Sequence, residues 1–485
     1  MSDVMTETRP GAPVTFDETA ALYDICFVLN VNSRGWILEK ICRVIERASG
    51  AVCFTMFSET NDRFSYSLPP ARNYFFAHFA LAATALRKYP EARSANCFVW
   101  YTHPDLSKGV TKAELAELAD SCTAVFTPCS LNRDTLVEWG AKAGNISVPL
   151  GGADPADFRP KIRDGKGAVG FVGAYYERKQ PLKMLALARM MPEQSFILVG
   201  PRPEDVENAS LLWHNWRHFA EFTALPNVRY VEAAYEEFPR WYAEFDVLCS
   251  ASSLEGGPIP AIEAMMCNVV PVISDTGFAR DIIVHGSTGH IFPVDATPEE
   301  IVPLIRAGLA DTTTDIAAAA ANFSWDSFGR QIWSEIRGEV ALGETIGLDN
   351  MARAIRYLSR GFHLPESRGV WTRARTAELV VPLKRDARPT VLELYAWAPP
   401  EVGEAGAPVS FFVNGHQVHQ QVVTPRAVTI SLPIGALPPG GAPGTHGDAI
   451  RVLIQAERLI LPSDRPAGSR ERRSLGIKLG WFRAR

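Results

Sequence analysis

The chain has 485 residues, 47% of them hydrophobic and 21% charged, with a formal net charge of −5. This length exceeds one ordinary core and predicts about three domains, and the composition excludes extensive disorder. The acidic balance excludes a global attraction to nucleic acid or to an anionic membrane face, leaving one local basic stretch from Arg465 to Arg485.

No apolar run is long enough to span a bilayer, and the first residues lack a charged-then-apolar export pattern. A cytoplasmic protein is expected, with peripheral contact at the inner membrane face left open. The eight cysteines have no CxxC spacing and sit in apolar patterns, as reduced core thiols do.

Residues 1–15 read as a loose leader rich in Pro and Gly. Residues 16–157 alternate short apolar runs ("LYDICFVLNV", "AVCFTMF", "NCFVWY", "TAVFTP") with helical periodicity such as "ILEKICRVIERA". Residues 158–340 repeat the grammar in "AVGFVG", "SFILVGP", "VRYVEAAY", "DVLCSAS", "VVPVISD" and "GHIFPV". Strands alternating with helices predict α/β units with parallel sheets, hence two Rossmann-like domains facing a cleft. A helical connector over 341–361 is expected next. Residues 362–485 hold closely spaced strand patterns with Pro/Gly breaks and an Asn414-Gly415 hairpin signal, which predicts an antiparallel β-sandwich.

The stretch "LEGGPIPAIEAMMCNVVPVISD", residues 254–275, sets Glu255 before two glycines and Glu263 inside the following helix. Ligands of open α/β sheets gather at the carboxyl ends of strands, where Glu255 falls. Gly256 and Gly257 allow close backbone approach, the N–H groups at the start of the next helix could hold phosphate oxygens, and Pro258 and Ile259 stand there as donor-binding candidates. Glu263 is a candidate acceptor for vicinal hydroxyls. The bland alternative is two acids favoured near a helix start by its dipole.

The same stretch resembles the retaining GT-B glycosyltransferases of family 4 and their relatives, with their E-x7-E signature, through Glu255, Gly256, Pro258, Glu263, Ala264, Met265, Pro271, Val272 and Ile273. "DTGFARDIIVHGSTGHIFPVD" is similar to the glycine-rich run that follows in the family, through Gly277, Gly286 and Gly289. "VGAYYERKQP" resembles the donor-phosphate loop after Gly173, with Lys179 at the family lysine, and "ISVPLGGADPADFRP" resembles the interdomain linker. Together these motifs run in the family's order over roughly residues 130–330.

This resemblance implies a nucleotide-sugar donor and a glycan or lipid-linked glycan acceptor, with no nucleic acid, no metal and no cofactor. It implies that Glu263 binds the nucleotide ribose and Glu255 the donor-sugar hydroxyls. Lys179 and Arg178 would neutralise the leaving diphosphate, and the backbone of Gly277, Phe278 and Ala279 would help hold sugar or diphosphate. A front-face mechanism is implied, with no nucleophilic carboxylate, in the setting of bacterial surface polysaccharide synthesis. His103, at the end of "FVWYTHPD", would contact the sugar; the alternative is a locally satisfied histidine. Arg34 and Gly35, in "NVNSRGWILEK", are acceptor-side or phosphate candidates, against an ordinary helix start capped by Asn32 or Ser33.

The sequence departs from the family at Ala174, where arginine is usual, at Asn268, where glycine is common, and at Asp281, where glutamate is usual. Asparagine tolerates the left-handed cap conformation. Two rival readings remain: a GT-B sugar-nucleotide epimerase, and a glycan-binding protein with a decayed transferase site. "NYFFAHFALAATALRKYP" reads as a core helix in preference to a membrane-facing one. Trp371, Trp397 and Trp481 are sugar-stacking candidates, with sandwich core as their alternative.

Overall fold

The computed structural model describes residues 23–485 except 62, 65, 66, 91, 93, 94, 103–109, 207, 385, 386, 435–448 and 467. Residues 1–22, which include the expected leader, and His103 lie outside the described residues.

Six parallel strands form the first sheet: β1 (Tyr23–Asn30), β2 (Cys53–Ser58), β3 (Ala71–Phe76), β4 (Asn96–Trp100), β5 (Ala124–Phe126) and β6 (Ile146–Ser147). Their order is β2-β1-β3-β4-β5-β6. Ile25 to Leu29 of β1 are fully buried, as a central strand covered on both faces requires. The chain reverses its direction of travel across the sheet between β1 and β3, so the loops after those strands open at a switch point.

The second sheet contains β7 (Ala168–Val172), β8 (Phe196–Pro201), β9 (Val228–Ala233), β10 (Phe245–Ser250), β11 (Val270–Ser274) and β12 (His290–Phe292). It is parallel throughout, in the order β12-β11-β10-β7-β8-β9. Its switch point lies between β7 and β10, which places the loops carrying Lys179 and Glu255 side by side.

The helix Trp325–Arg337 follows the second sheet in sequence but packs on the first. Its buried stripe, Trp325, Phe328, Ile332 and Ile336, shares a core with Ile25, Phe27, Ile41 and Phe98. Each such side chain contributes about 1.5–3 kcal/mol of burial, enough to fix this return across the cleft.

Two five-stranded antiparallel sheets close over one core to form the β-sandwich. The first joins β13 (Thr345–Gly347), β15 (Val370–Trp371), β17 (Val391–Trp397), β20 (Val428–Pro433) and β22 (Lys478–Ala484). The other joins β14 (Leu358–Arg360), β16 (Thr376–Pro382), β18 (Ala407–Val413), β19 (His416–Val423) and β21 (Ala449–Ala456). The segment expected as a helical connector is mostly part of this sandwich. It supplies β13 and β14, its α-helix is confined to Met351–Ala354, and Leu348 and Tyr357 lie in the shared core.

The Phe79–Lys88 helix buries Phe79, Leu81, Ala82, Ala85 and Leu86 in the first unit's core. Its apolar stripe therefore has no face left for a lipid surface. Among the described residues no helix is long and apolar enough to cross a membrane. All eight cysteines are free, and burial pushes the Cys249 thiol up to about 12.

Candidate active site

The chain leaves β7 through Gly173, whose φ of 106° favours glycine. A Cβ there would stand 2.5 Å from Lys179 Nζ, so the missing side chain makes room for the lysine to fold back. Lys179 donates to the Val172 carbonyl at 2.8 Å, and Trp213 Nε1 fixes the loop by donating to the Gly173 carbonyl at 2.7 Å. Burial pushes the Lys179 ammonium down to about 8; Glu255 opposes that shift and Arg178 adds to it.

Arg178 bridges to the loop after β10. Its Nη1 lies 2.5 Å from Glu255 Oε1 and donates to the Leu254 carbonyl at 2.8 Å, while its guanidinium covers the Tyr176 ring. The Ser252 hydroxyl donates to the same Glu255 oxygen at 2.8 Å. Glu255 is thus held in one orientation at the sheet edge.

Glu263 is 1% exposed on the Ile259–Met266 helix. It accepts hydrogen bonds from Tyr235 Oη at 2.7 Å and Tyr242 Oη at 2.8 Å. Burial raises its pKa, with the two hydroxyls and Lys40 pulling the other way. A ribose hydroxyl reaching this carboxylate must compete with Tyr235.

A cavity of about 590 Å³ joins these groups: Glu263 with its partner Tyr235, Glu255 with its partner Arg178, and Lys179. Gly35 and Lys40 line it from the first unit. A second cavity of about 380 Å³ shares Glu255 and runs on between Leu38, Trp100, Pro128, Phe278 and Phe328. Its polar rim includes His78, which sequence reasoning missed. His78 follows β3 at the first sheet's switch point, and its Nδ1 accepts from the Ala80 amide at 3.1 Å. Its position just beyond the apolar run "NYFF" was the available signal.

Several backbone donors expected for phosphate are already committed. Pro258 and Pro260 have no N–H, the Ile259 amide donates to the Gly257 carbonyl, and the Ala261 amide donates to the Pro258 carbonyl. The Ala279 amide donates to the Thr276 carbonyl, and the Gly35 amide donates to Glu39 Oε2 at 2.6 Å. The first turn of the Ile259–Met266 helix is therefore not the phosphate cradle the sequence suggested. Its Ile259 side chain instead lines both cavities.

The remaining candidates divide. Gly256 and Gly257 allow tight contact: a Cβ on Gly256 would meet the Thr102 carbonyl of the first unit at 2.9 Å, and one on Gly257 the Phe278 ring at 2.5 Å. Gly277, at φ 54°, packs against the Gly256 carbonyl. Phe278 is buried beneath Gly257 as a wall, and Arg34 lies over the Phe57 ring, outside both cavity linings. The Ile37–Ser49 helix is capped at Trp36 without a side-chain bond, so neither Asn32 nor Ser33 caps it.

The three departures from the family pattern have local explanations or none. Asn268, at φ 61°, accepts from Arg163 and from the Ile316 amide and donates to the Lys161 carbonyl, which ties the linker to the sheet. Asp281 reaches across the cleft and accepts from the Ser130 amide at 2.8 Å. Ala174 brings no cation to its loop. Of the expected sugar-stacking tryptophans, Trp371 is buried and donates to Glu366, whereas Trp397, beneath Lys478, and Trp481, stacked on Tyr395 at 5.4 Å, are half-buried outside the sandwich core.

Residues 154–322 match the family model described as glycosyl transferases group 1. No curated protein matches the chain. Among solved structures, sucrose-phosphate synthase from Thermosynechococcus elongatus is similar at 15% identity and a TM-score of 0.53, over 65% of this chain and 98% of that one. Anabaena HepE in complex with UDP and glucose is similar at 14% identity and 0.51, over 65% and 99%. The lipopolysaccharide outer core galactosyltransferase WaaB is similar at 14% and 0.50, over 65% and 99%. These likenesses establish the fold. Residues 154–322 thus form a group 1 glycosyltransferase domain within a GT-B fold, and the chain is an enzyme of the glycosyltransferase class.

Proposed function

We propose that the enzyme moves a hexose from a nucleotide-diphosphate sugar to a glycan or lipid-linked glycan acceptor, with retention at the anomeric carbon, in bacterial surface polysaccharide synthesis. One observation carries this reading. The second sheet's switch point holds Lys179 and Arg178 against Glu255 in a cavity that Glu263 also lines. A donor laid there has its ribose at Glu263, its diphosphate along Lys179 and its sugar at Glu255.

The chemistry follows from the charges. Breaking the bond between the anomeric carbon and the diphosphate leaves negative charge on the phosphate, which Lys179 stabilises. The acceptor hydroxyl enters from the same face, forms the new bond to that carbon and gives its proton to the departing phosphate oxygen. Neither glutamate acts as nucleophile: Glu255 is engaged by Arg178 and Ser252 and orients sugar hydroxyls. The adjoining apolar cavity receives the acceptor, and Glu255 stands where donor and acceptor meet.

The test is a thermal-shift screen with UDP, GDP, ADP, CMP and dTDP and their common sugars, repeated on Glu263→Ala. UDP comes first, because the Anabaena relative is described in complex with it. A ligand at 100 times its Kd stabilises the folded state by about 2.7 kcal/mol. One nucleotide is expected to raise the melting temperature, with the shift lost in the variant. A folded protein that responds to none of them would sink the reading.

A further inference from the structure

Lys40 projects from the Ile37–Ser49 helix of the first unit into the cavity whose other charged groups belong to the second. Its Nζ sits 4.9 Å from the Tyr235 ring centre and 4.8 Å from that of Trp325. Among the described residues it has neither a hydrogen bond nor an ion pair, although it is half-buried. Burial accordingly lowers its pKa, while the charges of Glu263, Asp154 and Asp157 act to raise it. A half-buried ammonium held only by two ring faces is a cation with its hydrogen-bond donors unspent.

The rest of the cavity explains what it is held for. Arg178 is already neutralised by Glu255, so among the described residues lining this cavity the second unit offers Lys179 alone as a cation not paired with a carboxylate. The amides of Gly35, Ile259, Ala261 and Ala279 are engaged by other acceptors. A diphosphate brings more negative charge than one lysine balances. Lys40 stands beside Tyr235, whose hydroxyl holds Glu263, whereas the charges that act on Lys179 are Glu255 and Arg178.

We propose that Lys40 is a ligand for the donor's ribose-proximal phosphate, supplied across the cleft by the facing domain, with Lys179 serving the sugar-proximal phosphate. The assignment rests on the donor orientation proposed above. It divides phosphate recognition between the two units, so a donor holding both phosphates bridges the cleft. The Tyr235 and Trp325 rings store the ammonium until the phosphate arrives, and they lose it when Lys40 turns to the new anion.

Calorimetry with the responding base, offered as nucleoside, nucleoside monophosphate and nucleoside diphosphate, separates this role from a structural one. In the wild-type enzyme the first phosphate is expected to tighten binding about tenfold, as a charge-assisted hydrogen bond does. Lys40→Met should abolish that gain and leave nucleoside affinity unchanged, Lys40→Arg should restore it, and Lys179→Met should erase only the gain from the second phosphate. Should Lys40→Met fold poorly, Lys40→Gln carries the same comparison.

An unchanged gain from the first phosphate in the Lys40 variants overturns the proposal. So does an equal loss for nucleoside and monophosphate, which marks a packing role. Failure of the wild-type enzyme to bind any nucleoside or nucleotide defeats the donor reading itself, and the proposal with it.

Discussion

The two sheet edges that face each other across the cleft are built from opposite materials. On the second sheet, titratable side chains hold one another, Arg178 on Glu255 and Glu263 between two tyrosine hydroxyls, with Lys179 folded onto the Val172 carbonyl beside them. On the first, the polar groups other than Lys40 satisfy backbone. Glu39 takes the Gly35 amide, His78 takes the Ala80 amide, and Asn132 donates to the Thr102 carbonyl at 2.8 Å. The remaining wall there is apolar, with Leu38, Trp100 and Phe328. The contrast assigns the charge that meets the leaving diphosphate mainly to one edge and shape to the other, with Lys40 the charged side chain that the first unit brings to the larger cavity.

The largest expected effect breaks the charged edge. Lys179→Met should lower kcat at least about 100-fold, the usual cost of removing a group aimed at developing charge, in a steady-state assay with the donor found by the screen. The lysine also predicts a pH dependence. Its ammonium, lowered to about 8 mainly by burial, is charged below that pH and neutral above it. Diphosphate affinity of the free enzyme should therefore fall as pH rises through about 8, and Lys179→Arg should carry the fall to higher pH. Affinity that stays flat across that window in the wild-type enzyme removes Lys179 from the phosphate.

The charged edge was the more legible of the two, for a physical reason. Its residues lie within short segments whose strand–loop–helix order fixes where they emerge, so Glu255, Glu263 and Lys179 could be placed from "LEGGPIPAIEAMM" and "VGAYYERKQP" alone. Their partners come from far along the chain. Tyr235 and Tyr242 clamp Glu263 from 28 and 21 residues away, and nothing in a local pattern selects them. Pro258 and Pro260 lack the N–H groups that a phosphate cradle there requires, a constraint visible in the sequence itself.

Periodicity showed other elements without their destinations. The Trp325–Arg337 stripe marks an amphipathic helix, yet the core it fills belongs to the first sheet, at the other end of the two α/β units in sequence. The 341–361 segment lacks long strand patterns because β13 and β14 are three residues each, too short for alternation to register. Nothing in the helical periodicity of "ILEKICRVIERA" singles out Lys40. Only the second unit, closing over it, makes it half-buried.

A smaller effect is expected where the two edges touch through backbone. Gly256→Ala would put a Cβ 2.9 Å from the Thr102 carbonyl, a distance that forces one unit to shift against the other. A loss of about tenfold in kcat/KM with an almost unchanged melting temperature should follow, because a shift of a few tenths of an ångström misplaces donor against acceptor without opening either core. Wild-type kinetics in Gly256→Ala would mean that the cleft works at a wider spacing than the one described.

The smallest expected effect tests a side-chain tie between the units. The Ser130–Glu138 helix has no cap of its own, since the Cys129 side chain makes no bond to it, and Asp281 of the second unit accepts from its Ser130 amide instead. A carboxylate at a helix N-terminus is worth about 1 kcal/mol, so Asp281→Ala should weaken the closed arrangement about fivefold. Donor binding depends mainly on the second unit and should change little. KM for the acceptor should rise, because the acceptor needs both edges. Asp281→Asn keeps an acceptor oxygen and should recover part of the loss. If donor affinity falls instead while acceptor KM holds, Asp281 acts on the donor directly and the division between a charged edge and a shaping edge is drawn in the wrong place.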